Sequence, residues 1–118
     1  GARRRGATVV AITSLLHARS DEARRTGHPR LHEIADITID NHGTVGDAAM
    51  DVPGMGTRVG PTSTVAGAAI VNAIVVEAAA IMAEQGAPPE VYLSSNVTGG
   101  DDVNTRLLSG EPGGRSAS

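Results

Sequence analysis

The residues able to do chemistry are oxygen acids, amides, hydroxyls, imidazoles and guanidinium groups, and they gather in five stretches. Ile39-Asp40-Asn41-His42-Gly43 puts an imidazole and an amide just after an alternating segment, where a base or a polar ligand contact would belong. Asp47 stands between Gly46 and Ala48, with backbone freedom to approach a ligand or to close an Asx-type turn. Thr13 and Ser14 end an apolar run, and Thr62-Ser63-Thr64 follow a Gly-Pro turn at a helix start. Asn96, Asp101 and Asn104 share a Gly-rich stretch, whose amides and carboxylates offer both donors and acceptors to a polar ligand. His42 and Asp47 are the candidates for proton transfer, because an imidazole or a carboxylate held at a strand end can act as a positioned base or acid. Each has a structural alternative: a loop histidine that is solvent-facing or hydrogen-bonded, and an aspartate that only closes its turn. His28, before Pro29, could reach a neighbouring subunit's site; His17 and His32 fall on helix faces as surface residues. No spacing of His, Asp and Glu matches a metal motif, so neither a metal nor a cofactor is expected.

Composition narrows the classes further. The chain has 118 residues, no cysteine and ten basic residues that are all arginine, which excludes disulfides, thiol chemistry, a Schiff-base lysine and a P-loop lysine. A formal charge of −3, with Tyr92 the only aromatic, argues against a nucleic-acid partner. A core of Ala, Val, Ile and Leu has little bulk per residue, so a partner surface is expected to contribute stability. Val65 to Ala83 is apolar enough to raise a membrane span, but Asn72, Glu77 and many Ala and Gly favour a helix buried inside a protein. The expectation is a cytoplasmic protein with no membrane contact and no secretory signal.

The elements that must position these groups follow from pattern. Gly1 to Arg5 reads as a last helical turn closed by Gly6. Ala7 to Ile12 is β-branched and continuous, as in a parallel strand buried on both faces. Leu15 to Arg25 reads as a short helix, Leu31 to Ala35 as a helical turn, and Asp36 to Asp40 as a second strand. Val45 to Met55 reads as a loop, Val65 to Ala83 as a long buried helix capped by its leading hydroxyls, and Glu90 to Ser95 as a third strand. Thr105 to Leu108 begins another helix, and residues 109–118 form a flexible tail. Strand, helix, strand, long helix, strand is an α/β order in which ligands sit at strand C-termini. Three short strands make a poor free-standing sheet, so a second half of a larger doubly wound domain is expected.

An ordered set of motifs then resembles a known family. Ala11-Ile12-Thr13-Ser14, His28-Pro29, Ala35-Asp36, Ile39 to Gly43, Gly46-Asp47-Ala48, Gly60 to Thr64, Ser95-Asn96 and Gly99-Gly100-Asp101 with Asn104 are similar to the C-terminal half of sugar isomerase (SIS) domains, over residues 1–108. The resemblance implies a parallel sheet flanked by helices, a homodimer or higher oligomer, and a phosphorylated sugar held near the dimer interface. It also implies a missing N-terminal half that supplies the main phosphate loops. Gly56-Thr57-Arg58 is similar to a Gly-Thr-Glu segment in the isomerase domains of glucosamine-phosphate synthases, where the glutamate is the base. Arg58 stands at that position and cannot accept a proton at neutral pH, though it can pair with phosphate or carboxylate. Two outcomes therefore stay open: a phosphosugar isomerase, or a non-catalytic phosphosugar-binding or sensing module, including a fragment without a complete site. The implied binding residues are Thr13, Ser14, Asn41, Arg58, Thr62, Ser63, Thr64, Asn96, Asp101 and Asn104.

Overall fold

A computed structural model describes residues 2–23 and 27–110; the expected tail from 109 lies almost wholly outside them. The chain divides into two compact units, Gly1–Val75 and Val76–Ser118.

In the first unit a short 3-10 turn, Ala2–Arg5, precedes strand β1, Val10–Thr13. Helices α1 (Leu15–Arg19) and α2 (Leu31–Ile34) lead to strand β2, Ile37–Asp40. Strands β1 and β2 are parallel, pairing Val10 with Ile37 and Thr13 with Asp40, so both deliver their last residues to the same edge. The expected strands are present, with β1 shifted toward Thr13. The pair is extended at one end by Val9, whose amide donates to Asp36 Oδ2 at 2.8 Å while its carbonyl accepts from the Asp36 and Ile37 amides. At the other end the Asn41 amide donates to the Thr13 carbonyl at 3.1 Å.

Two expectations fail in this unit. Helix α1 stops at Arg19 rather than Arg25, because the Ser20 amide and hydroxyl both turn back to the His17 carbonyl. Residues 45–55 are not only loop: β3 (Ala48–Met50) pairs antiparallel with β4 (Val59–Pro61), setting Ala48 against Pro61 and Met50 against Val59. Ala, Gly and Pro are poor strand formers, so no propensity announces this hairpin.

Helix α3 (Thr62–Glu84) follows β4 directly. Its capping differs from the expectation. The leading hydroxyls do not cap it; the Asp47 carboxylate does, accepting from the Ser63 amide at 2.7 Å. None of its residues is buried within this chain, so the chain itself supplies none of the expected cover. Asn72 donates its amide to the Ala68 carbonyl one turn back, which satisfies it without a partner element. Among the described residues α3 is the helix long and apolar enough to cross a bilayer, by length and composition alone.

In the second unit α3 ends in a Schellman arrangement. The Ala87 amide reaches the Met82 carbonyl and the Gly86 amide the Ala83 carbonyl, with Gly86 at φ 75° as its left-handed residue. Residues 90–95 form no strand among the described residues. Instead Asn104, on α4 (Gly100–Ser109), donates its amide to the Leu93 carbonyl at 2.8 Å and accepts from the Leu93 amide at 2.9 Å. One side chain thus supplies both bonds that a neighbouring strand would give Leu93. Gly100 is buried so tightly under the Ser94 carbonyl that a Cβ there would collide with backbone. The molecule is therefore mixed α and β.

The buried apolar residues among those described are Ala11 and Ala23. Val10 and Ile37, at 48% and 52% exposed, lie on a parallel sheet, a structure normally covered on both faces.

Candidate functional site

The carboxyl edge of β1 and β2 holds the site. Ser14 caps α1: its Oγ accepts from the His17 amide at 3.1 Å and donates to the Gly43 carbonyl at 2.6 Å. Asp40, the last residue of β2, accepts from the amides of Leu15 at 3.1 Å and His42 at 2.9 Å. These amides hold its carboxyl below the usual carboxylate range, that of His42 most, with smaller help from the His42 and Arg19 charges against an opposing burial effect. Asn41 turns its Oδ1 onto the Gly43 amide at 3.0 Å, closing an Asx turn. Gly43 is buried there, and a Cβ would lie 3.1 Å from both Asn41 Oδ1 and Thr62 Oγ1.

The hairpin brings the second wall. Continuing its register, the Thr62 amide donates to the Asp47 carbonyl at 3.0 Å, so Asp47 stands beside the first turn of α3. Its carboxylate accepts from the Ser63 amide and from the Ser63 hydroxyl at 2.9 Å. Thr62 Oγ1 donates to the Asp47 carbonyl at 2.9 Å, lies 3.2 Å from Asp47 Oδ1, and accepts from the Thr44 amide. The Ser63 amide, then the Ser63 hydroxyl, outweigh desolvation and keep the Asp47 carboxyl below its usual range. Such a carboxylate is a strong acceptor and a weak base, so the geometry suits it to holding the loop on α3.

His17 joins the two walls. Its Nδ1 accepts from the Gly46 amide at 3.2 Å, which leaves the ring proton on Nε2. The expectation of a surface residue is corrected: His17 is partly buried and lines a cavity of about 240 Å³ with Thr13, Ser14, Asn41, Asp47 and Ser63. Its helix-face pattern gave no sign of this, because Gly46 is 29 residues away.

The other candidates separate. His42 is 87% exposed by side chain, with its Nδ1 3.5 Å from Asp40 Oδ2. His42 and Asp47, at φ 52° and 71°, are the non-glycine residues with left-handed backbone among those described. Asp and His are enriched there, and such residues cluster at functional sites. Arg58 lies away from the cavity lining, its Nε 3.1 Å from Asp51 Oδ1 across the hairpin loop. Thr64 is exposed on α3. Asn96, Asp101 and Asn104 belong to the second unit; the last two stand on α4 rather than in a loop, and the Asn104 amide is committed to Leu93.

Among the described residues no group of three His, Asp or Glu side chains could hold a metal ion.

No family model matches the chain. Curated relatives do. The chain is 44% identical over 107 residues to a UPF0309 protein of Geobacillus thermodenitrificans, covering 91% of this chain and 43% of that protein. It is 43% identical over 107 residues to a UPF0309 protein of Geobacillus kaustophilus, with the same coverage. A UPF0309 protein of Brucella anthropi is 38% identical over 107 residues, again 91% of this chain and 43% of the relative. The chain thus spans less than half the length of the curated relatives it matches.

Proposed function

We propose that residues 1–108 form the second half of a SIS-type, doubly wound domain that binds a phosphorylated sugar at the carboxyl edge of β1 and β2. The observation that carries this reading is the cavity itself, at the strand ends of a parallel pair, where open α/β folds bind ligands. Its walls offer the Thr13 hydroxyl and the His17 Nε2–H to a polyol, around backbone fixed by Ser14, Asn41 and Asp47. The remainder of the domain, homologous to the longer part of the relatives, covers the bare faces of β1–β2. A second copy of the protein packs on α3, and the assembly is cytoplasmic.

The test is isothermal titration of the intact protein with hexose 6-phosphates, comparing wild type with Thr13→Val. That variant removes one cavity hydroxyl at nearly constant shape. Saturable binding weakened roughly tenfold by Thr13→Val is expected, as for loss of a ligand hydrogen bond. Absence of binding by any hexose or pentose phosphate would sink the reading.

A second reading, aldose–ketose isomerisation, is favoured by the Asp40–His42 pair. A carboxylate at 3.5 Å from Nδ1 can orient the ring. His42→Gln would then abolish deuterium exchange of the substrate's α-proton while leaving sugar-phosphate binding in place. Full exchange in the variant would remove His42 from the mechanism.

A further inference from the structure

The cavity at the strand edge carries charge of one sign. Asp47 lines it, and among the described residues around it there is no arginine. The Asp47 carboxylate stays ionised because the Ser63 amide and hydroxyl bind its charged form. The start of α3 stands in the same wall, and a long helix's first amides are the backbone groups best suited to an anion. Here the chain has filled that place itself. The Thr62 amide donates to the Asp47 carbonyl at 3.0 Å, and the Ser63 amide to the Asp47 carboxylate at 2.7 Å. The Thr62 and Ser63 hydroxyls are given to the same residue.

The groups left for a ligand are uncharged. Ser14 Oγ is spent on the Gly43 carbonyl, and Asn41 Oδ1 on the Gly43 amide. Among the described residues the Thr13 hydroxyl has no hydrogen-bond partner, and His17, whose Nδ1 accepts from the Gly46 amide, keeps an Nε2–H to donate. Two such donors suit the hydroxyl or carbonyl oxygens of a sugar. A second carboxylate beside Asp47 would have to shed water next to a like charge, and at a protein-like dielectric that repulsion exceeds what the two hydrogen bonds return.

We propose that Asp47 is a specificity-determining residue: the strand-edge cavity accepts the neutral, hydroxylated part of a phosphosugar and rejects a carboxylate there, so that aldose, ketose and alditol phosphates bind and sugar-acid phosphates do not. This rests on the phosphosugar reading and specifies its substrate class. It agrees with phosphate loops that belong to the other half of the domain, since this cavity offers a phosphate no cation and no vacant helix start. The discrimination comes from a repulsive element built into the site, as selective sites commonly arrange it.

The test is calorimetric titration of the intact protein with glucose 6-phosphate, sorbitol 6-phosphate and 6-phosphogluconate. The last two are both open chains and differ in a hydroxymethyl group against a carboxylate at one end. Wild type should bind 6-phosphogluconate roughly tenfold or more weakly than sorbitol 6-phosphate. Asp47→Asn should close most of that gap by a gain in 6-phosphogluconate affinity, an outcome that damage to the fold does not produce. Asp51→Asn removes the same charge from the hairpin, off the cavity lining, and should keep the gap. Should Asp47→Asn lose its native circular dichroism, Asp47→Gly makes the same test, because glycine readily adopts the backbone at φ 71°. Equal affinity, or equal absence of binding, of the two open-chain probes in wild type would overturn the proposal, as would an unchanged gap in the folded Asp47 variant. Glucose 6-phosphate binding in those titrations would leave the phosphosugar reading standing. If no sugar phosphate binds wild type, that reading falls and the proposal with it.

Discussion

The carboxyl edge of β1–β2 and the body of α3 are held by opposite means. At the edge, Ser14, Asp40, Asn41, Asp47 and Thr62 are tied by side-chain hydrogen bonds to backbone up to 29 residues away, with hardly any buried apolar surface. Along α3 there is abundant apolar surface and almost nothing over it: Val71, Ile74, Val75 and Val76 are exposed. Hydrogen bonds fix geometry but contribute modest net stability, whereas apolar burial contributes most of the driving force. The edge is thus fixed by hydrogen bonds within this chain, while α3 offers apolar surface that would add stability only if something covered it.

The largest effect should come from breaking that cover. Val71 and Val75 are four residues apart, on one helix face. If the face is packed in the intact protein, each valine contributes about 1.5–3 kcal/mol, and an aspartate there adds an uncompensated charge. Val71→Asp with Val75→Asp is expected to dissociate the assembly in size-exclusion chromatography with light scattering, and to lower the melting temperature sharply. An unchanged mass and melting temperature would mean that α3 is bare in solution, and the contrast would lose its second half.

Asp47 sharpens the first half. Asparagine tolerates the left-handed backbone there, so Asp47→Asn keeps the turn while weakening the acceptor that ties the loop to α3. The wild-type carboxyl is depressed in the folded state. Its contribution is therefore complete above the unfolded value of about 3.9 and is lost as pH falls through the lower folded value. Asp40 acts in the same direction. Urea midpoints measured from pH 7 down to pH 2 should show the variant less stable at neutral pH. The gap should close below about pH 4, as the wild-type carboxyl protonates. A gap independent of pH would show that the charge of Asp47 does not matter to the fold.

What could be read from the chain divides along the same line. The β-branched run ending at Thr13 and the alternation of residues 36–40 announced their strands and the edge carrying Thr13, Ser14 and Asn41. The hairpin has no local signal, because Ala48-Ala49-Met50 and Val59-Gly60-Pro61 hold only one good strand former. With it went the true cap of α3, since Asp47 meets Ser63 only through the hairpin register. Residues 90–95 have strand composition, but pairing needs a neighbour, and the Asn104 side chain takes that place. Local pattern shows which segments can become strands; which groups meet across 16 or 29 residues depends on register, and that has no local signature.

The smallest effect should come from Arg58. Its guanidinium meets Asp51 across the β3–β4 loop, with the two side chains 56% and 77% exposed. An ion pair that open is screened by water and salt and must order two side chains, so it contributes about 0–1 kcal/mol. Arg58 also lies outside the lining of the 240 Å³ cavity at the strand edge. Arg58→Ala is therefore expected to leave the urea midpoint within error and the glucose 6-phosphate affinity unchanged, at low and at physiological salt. A tenfold loss of affinity with the midpoint intact would put Arg58 on the ligand's phosphate and bring the hairpin loop into the site.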